Sequence, residues 1–275
     1  MVQNIRYTHH PEDIDNYTTE KYKSEFLIKK LFIPGKCSLV YTYYDRMIVG
    51  GIVPLEKVVV LGTMDIQKTP SFHFRRESGI INIGGAGTVS LDGNNYCLDN
   101  CDALYIGKGV KHVSFKSDDA NSPAKFYLNS ALAHAVFPSK LIRAKEANPV
   151  YLGAQSQANK RVLCQYIVPN IVDTCQLMMG ITTCDPGNVW NTMPCHTHEL
   201  RMEVYLYFNF PGDESVCHIM GRPGSTRNIW VHPGEAVISP PWSVHTAAGT
   251  TNYSFIWGMA GSDSDMDAVL TNTLI

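Results

Sequence analysis

The chain has 275 residues, 44% hydrophobic and 17% charged, with a formal net charge of −2. That length and apolar content allow one large domain or two of ordinary size around a substantial core. Lys and Arg are scattered without a run, so there is no electrostatic footprint for nucleic acid or an anionic membrane, and the expected partner is a small molecule or another copy of the chain. The opening MVQNIRYTHHPEDID carries charges where a signal peptide needs its apolar core, and no window approaches eighteen apolar residues, so the expectation is a cytoplasmic protein without a membrane span.

In chain order, DIDNYTTEKYKSEFLIKKLF (13–32) offers the one good helix candidate, with Phe26, Leu27, Lys30 and Leu31 near helical spacing after an Asn/Thr-rich entry. From residue 38 onward strand signals take over. SLVYTYY, RMIVGGIV, KVVVLG, GIINIGG, GTVSLDG, DALYIG and HVSFK are short, rich in Val, Ile and Tyr, and separated by Gly, Asp-Gly and Asn. GGAG at 84–87 resembles part of a dinucleotide fingerprint, but no helix follows it, and a hairpin turn is the expected structure. After a connection through SALAHAVFPSKLIRAKEANPVYLG, with room for a short helix, the strand cadence resumes in RVLCQYIVP, CQLMMGIT, EVYLYFNF, VCHIMG, RNIWVHPG, EAVISP and YSFIWGMA. The eight cysteines are too dispersed for a CxxC knuckle and are expected to be free thiols, buried as small apolar groups.

The two β segments overlay. Setting Glu203 against Gly79 puts His196 on Phe72 and His198 on Phe74, and setting EAVISPPWSVH against DALYIGKGVKH puts His245 on His112. Only the second half fills every polar slot. The expectation is an all-β, double-barrel architecture with a few short helices: residues 1–145 form a barrel lacking a complete metal site, and 146–275 a barrel that carries one. A second metal at His73 and His112 is rejected, because the first half retains one equivalent ligand.

Residues two apart on a strand point the same way, so His196 and His198 can reach one point. Glu203 lies an odd step beyond and joins them only if the chain turns at HELR; from there Glu203, Tyr205 and Tyr207 share a face. His245, from a separate strand after SPPWS, completes a site of three imidazoles and one carboxylate. Such a set suits Zn, Fe, Mn or Ni over Ca or Mg, and the lack of thiolate argues against a closed structural zinc. Cys195 alternates to the other face. His9, His10, His134, His218 and His232 are expected to be surface or hydrogen-bonded core histidines.

HTHELRME followed by SPPWSVH resembles the metal motifs of the cupin superfamily. More narrowly, IVGGI, RRESGIINIGGAGTVSLDG, DALYIGKG, TCQL, GNVWNTMPCHTHELRMEVY, AVISPPWSVH and FIWGMAG resemble the 5-keto-4-deoxyuronate isomerase family from about residue 24 to residue 267. The resemblance implies a bicupin fold, one zinc ion per subunit on His196, His198, Glu203 and His245, and a homohexamer. It also implies isomerisation of a 5-keto-4-deoxyuronate to 3-deoxy-D-glycero-2,5-hexodiulosonate in pectin and glycosaminoglycan catabolism. The chain departs from that family at His73-Phe74, where Leu-Glu is usual, at His112, where an acid is usual, and in the tail after DMD.

An aldose–ketose interconversion needs a Lewis acid for the developing enediolate and a base for the proton. Glu77, Tyr205, Tyr207 or a metal-bound hydroxide are candidates for the base. The substrate carboxylate calls for a cation, with Arg201 and Arg161 the candidates and Arg75 or Lys108 reachable across a subunit interface. Two competing readings use the same ligands: an iron-dependent cupin dioxygenase and a non-catalytic sugar-binding cupin.

Overall fold

The computed structural model describes residues 1–262 and 270–271; most of the divergent tail after DMD lies outside them. The chain divides into two compact units, neither continuous in sequence. The first comprises 1–5, 30–147 and 166–178, and the second 6–29, 148–165 and 179–275. Two exchanged segments, rather than one cut near residue 145, therefore separate the units.

In the first unit the strands Val2–Arg6, Cys37–Thr42, Ile48–Ile52, Phe126–Leu132, Arg76–Asn82, Ala103–Ile106 and Lys140–Ile142 form one sheet in that order, and Val59–Val60, Val113–Ser117, Gly87–Leu91 and Asn94–Leu98 form another. Leu39, Ile48, Ile80, Val89, Leu104, Phe115, Phe126 and Leu128 fill its core, as period-2 apolar positions facing inward must. GGAG does not form the expected hairpin. The strands before and after it, Arg76–Asn82 and Gly87–Leu91, belong to different sheets, so the segment is a crossover. Its glycines permit close backbone approach: a Cβ at Gly84 would meet the Lys125 nitrogen at 2.5 Å, and one at Gly85 the Ser122 carbonyl oxygen at 2.0 Å.

The second unit repeats the plan. Asn148–Leu152, Arg161–Ile167, Met178–Cys184, Ser254–Gly261, Arg201–Phe208, Ala236–Ser239 and Leu27–Ile28 form one sheet, and Ser225–Val231, Val216–Arg222, Val244–Gly249, Trp190–Thr197 and Leu270–Thr271 the other. The expected N-terminal helix is shorter than its pattern. It runs Thr19–Phe26, with Thr18 Oγ1 accepting from the Lys21 nitrogen at 3.2 Å, which satisfies one of the orphan amides of the first turn. The chain then extends, and Leu27–Ile28 pairs with Val237 and Ala236 as an edge strand. Pairing an apolar dipeptide on an open sheet edge outweighs prolonging a helix. Tyr22 and Phe26 are buried, and the Tyr22 hydroxyl donates to the Met220 carbonyl at 3.2 Å.

All eight cysteines are free, but the expected burial holds only for Cys37, Cys184 and Cys195; Cys97 is exposed and the remaining four are half-buried. No described helix is long and apolar enough to cross a membrane.

Candidate metal centre

His196 lies near the end of Trp190–Thr197, in the five-stranded sheet, and is register partner to His245 on Val244–Gly249. Between the pairs Asn191–Ala247 and His196–His245 one strand advances five residues and its neighbour two. This bulge re-aims the strand end toward the barrel interior. The chain turns at Glu199 and Leu200 and enters Arg201–Phe208 in the opposite, seven-stranded sheet. That turn resolves the odd step between the histidines and Glu203: the carboxylate approaches from the facing sheet.

The donor atoms converge. His196 Nε2 is 3.2 Å from His198 Nε2 and 3.3 Å from His245 Nε2, and Glu203 Oε2 is 3.3 Å from His198 Nε2 and 3.4 Å from His245 Nε2. These four separations are close to the ~3.3–3.4 Å between neighbouring ligand atoms about 2.0–2.1 Å from one ion at tetrahedral angles, and the three imidazole nitrogens all lie within 4.8 Å of one another. Glu203 Oε2 is buried without a hydrogen-bond partner, the state expected of an oxygen reserved for a cation. Two of the rings are oriented from behind, since His196 Nδ1 sits 3.2 Å from the Pro194 carbonyl and His245 Nδ1 3.3 Å from that of Ser243. A proton placed on Nδ1 leaves the Nε2 lone pair facing inward. Burial holds the His196 and His245 pKa values below their usual range, so both rings stay neutral. For Glu203 burial works upward, but the imidazoles of His198 and His245 beside it and the Tyr205 hydroxyl prevail and bring it down to about 2. Neutral imidazoles and an ionised carboxylate are the protonation states that bind a divalent ion. Among the described residues, the three histidines are the one cluster of His, Cys, Asp or Glu with this geometry.

The cluster opens on a cavity of about 260 Å³ lined by Leu152, Arg161, Leu163, Thr182, Thr192, His196, His198, Arg201, Glu203, Tyr205, Phe255, Trp257 and Met259. Its floor is one face of the seven-stranded sheet, as the shared parity of 161 and 163, of 201, 203 and 205, and of 255, 257 and 259 requires. Arg201 is buried, with Nη2 3.1 Å from His198 Nδ1. Tyr205 is hydrogen-bonded to Glu203 and Thr192, and burial, then the Glu203 charge, lifts its phenol well above 10.

Two base candidates are corrected. Tyr207 shares the parity of Tyr205 but is not in the cavity wall; it is fully buried, with its hydroxyl 2.7 Å from His218 Nδ1. Glu77 lies in the first unit and does not line the cavity. Its carboxylate accepts from the Tyr105 hydroxyl at 2.8 Å and from the backbone N–H groups of Cys175, Gln176 and Leu177 at 2.8, 2.9 and 3.0 Å. With four donors on two oxygens it has no lone pair left for a substrate. Arg75 is exposed and Lys108 half-buried, and neither lines the cavity. In the first unit His73 is buried, 2.7 Å from Ser78 Oγ, and burial pushes it down to about 3, whereas His112 is exposed. Thr182, Thr192, Phe255, Trp257 and Met259 were not foreseen as site residues; strand parity alone would have grouped them, without saying which face is inward.

A barrel of two facing β-sheets with three imidazoles and a carboxylate converging inside it defines a cupin-like fold with a candidate metal site. More closely, the chain belongs to the KduI/IolB family, which it matches over residues 30–273. It is 51% identical over 260 residues to the 4-deoxy-L-threo-5-hexosulose-uronate ketol-isomerase of Formosa agariphila, covering 94% of this chain and 93% of that one. It is 48% identical to the protein of that name from Halalkalibacterium halodurans, over 96% and 97% of the two chains. These relatives place the chain among isomerases. In fold it is similar to an IolB-like protein from Salmonella typhimurium (TM-score 0.68, 13% identity, 82% of this chain and 86% of that one). It is also similar to the protein Ylba from E. coli (TM-score 0.61, 14% identity, 94% and 100%).

Proposed function

We propose that the protein isomerises 4-deoxy-L-threo-5-hexosulose uronate to 3-deoxy-D-glycero-2,5-hexodiulosonate, using a zinc ion held by His196, His198, Glu203 and His245. The observation that carries this is the convergence of four donor atoms, neighbouring ones 3.2–3.4 Å apart, at the wall of a cavity, in a chain about half identical to enzymes of that name. Zinc fits the donor set because three neutral nitrogens and one carboxylate oxygen suit a borderline ion that keeps room for a substrate oxygen. When bound, such an ion supplies Lewis acidity toward the carbonyl and hydroxyl oxygens between which the proton moves.

The chain's own residues do the rest. Phe255, Trp257 and Met259 make an apolar wall that keeps water from the reacting carbons and strengthens every charge inside. Pro194 and Ser243 carbonyls fix the ring faces of His196 and His245. The Tyr205 hydroxyl gives its one proton to Glu203 and steadies it, and because that proton is held far above neutral pH Tyr205 is not a resting base. No carboxylate other than Glu203 is among the described lining residues, so Tyr205 is, with the two arginines, an ionisable wall group left free of metal ligation. This reading carries with it a cytoplasmic homohexamer acting in uronate catabolism. Dialysis against a chelator should abolish conversion and zinc restore it; conversion that persists at zero bound metal would overturn the assignment.

A further inference from the structure

The cavity wall also holds a cation without a counter-charge. Arg161 is 8% exposed, and its guanidinium donates from Nη1 to the Asn159 carbonyl at 2.8 Å. Among the described residues no carboxylate pairs with it. A guanidinium has five N–H donors in a planar fork and keeps its charge at any working pH. Removing one from water without an anion is among the costlier things a fold can do. Burial accordingly acts to lower the Arg161 pKa.

Beside it, Thr182 Oγ1 and Trp257 Nε1 are buried in the same wall with no hydrogen-bond partner. Native interiors rarely leave such groups unpaired unless a ligand or water completes them. The three residues stand on the successive neighbours Arg161–Ile167, Met178–Cys184 and Ser254–Gly261. The indole is seated by a glycine: a Cβ on Gly180 would meet Trp257 Cζ2 at 2.1 Å. Arg201, the other cation of the wall, has its Nη2 3.1 Å from His198 Nδ1, beside the metal-ligand cluster.

We propose that Arg161, with Thr182 and Trp257 beside it, forms the subsite that binds the carboxylate and an adjacent hydroxyl of a sugar-acid substrate. This rests on the ketol-isomerase reading and says how that site selects acids over neutral sugars. The guanidinium fork takes the carboxylate side-on, and the threonine and indole groups bond the carboxylate's second oxygen or the neighbouring hydroxyl.

The test uses the full-length, metal-loaded protein as wild type, Arg161→Gln and Arg161→Lys. The uronate and its methyl ester serve as paired substrates, and gluconate, which has no carbonyl to isomerise, as a calorimetric probe. Arg161→Gln should raise KM for the uronate by about 10- to 100-fold, collapse the preference for acid over ester, and weaken gluconate binding to a similar degree, with metal content at the wild-type level. An acid preference and gluconate affinity that survive in Arg161→Gln overturn the proposal, as does an equal loss on acid and ester. If Arg161→Gln does not fold, Arg161→Lys decides: losing the fork geometry should cut the acid preference by roughly fivefold or more, and a wild-type preference refutes the subsite. If the wild type does not convert the uronate at all, the ketol-isomerase reading fails, while gluconate titration of the three proteins still decides the subsite.

Discussion

Replacing Glu77 with Gln separates a structural carboxylate from a catalytic one. The two carboxylate oxygens of Glu77 take four donors: the Tyr105 hydroxyl and the consecutive N–H groups of Cys175, Gln176 and Leu177. An amide keeps one acceptor oxygen and turns an NH2 toward two of those donors, leaving them unpaired inside the first unit. Each orphaned donor costs about 1–3 kcal/mol, and loss of the negative charge weakens the remaining bonds, giving a destabilisation of about 3–5 kcal/mol. For a chain of this length that lowers the melting temperature by roughly 10 °C. Calorimetry reads the shift, with metal content and KM measured on the folded variant at low temperature. The account expects a large thermal shift, full metal content and a KM near that of wild type. A variant with wild-type melting and no turnover would refute the structural role and return Glu77 to the list of catalytic groups.

Tyr205→Phe removes the hydroxyl bonded to Glu203 while keeping the ring's packing; kcat should fall about 10²–10⁴-fold with metal retained, measured by single-turnover kinetics and metal analysis. His73 gives a pH dependence whose sign follows from burial. Its pKa is about 3 in the folded chain against 6.5 in an exposed one, so the unfolded chain binds a proton the folded chain refuses. The stability this group lends is complete above pH 6.5 and drains away as pH falls toward 3. Between pH 7 and 5 that is about 2 kcal/mol, and urea titrations of His73→Gln should show a correspondingly smaller acid loss than wild type. Equal losses in the two proteins would show that His73 titrates freely.

The metal ligands were legible because their chemistry is local in sequence: HTH on a strand, a carboxylate after a turn, and a histidine after a Pro-rich corner admit few arrangements. Tyr205 and Tyr207 were indistinguishable by parity. Only depth in the barrel separates them, since the Tyr207 hydroxyl meets His218 behind the wall. The strand Phe126–Leu132, central to its sheet, escaped notice because it carries Asn129 and Ser130 where apolar residues are expected. Both are fully buried: Ser130 is bonded to Arg76 and the Glu77 carbonyl, and Asn129 donates from Nδ2 to the Tyr127 hydroxyl while its Oδ1 has no partner. GGAG misled in the opposite direction, since glycines that suit a hairpin equally suit a crossover pressed against backbone. Thr182 lies in no family motif and Trp257 only in FIWGMAG, which does not mark its role; their unpaired state appears only once the sheet is assembled.

The central claim is tested most directly by anaerobic conversion of 4-deoxy-L-threo-5-hexosulose uronate, comparing wild type with His198→Ala and recording bound metal and oxygen uptake for each. The account predicts turnover by the metal-loaded wild type without oxygen, and loss of both metal and turnover in the variant. A metal-loaded wild type that leaves the uronate unchanged, or acts only while consuming oxygen, would contradict it.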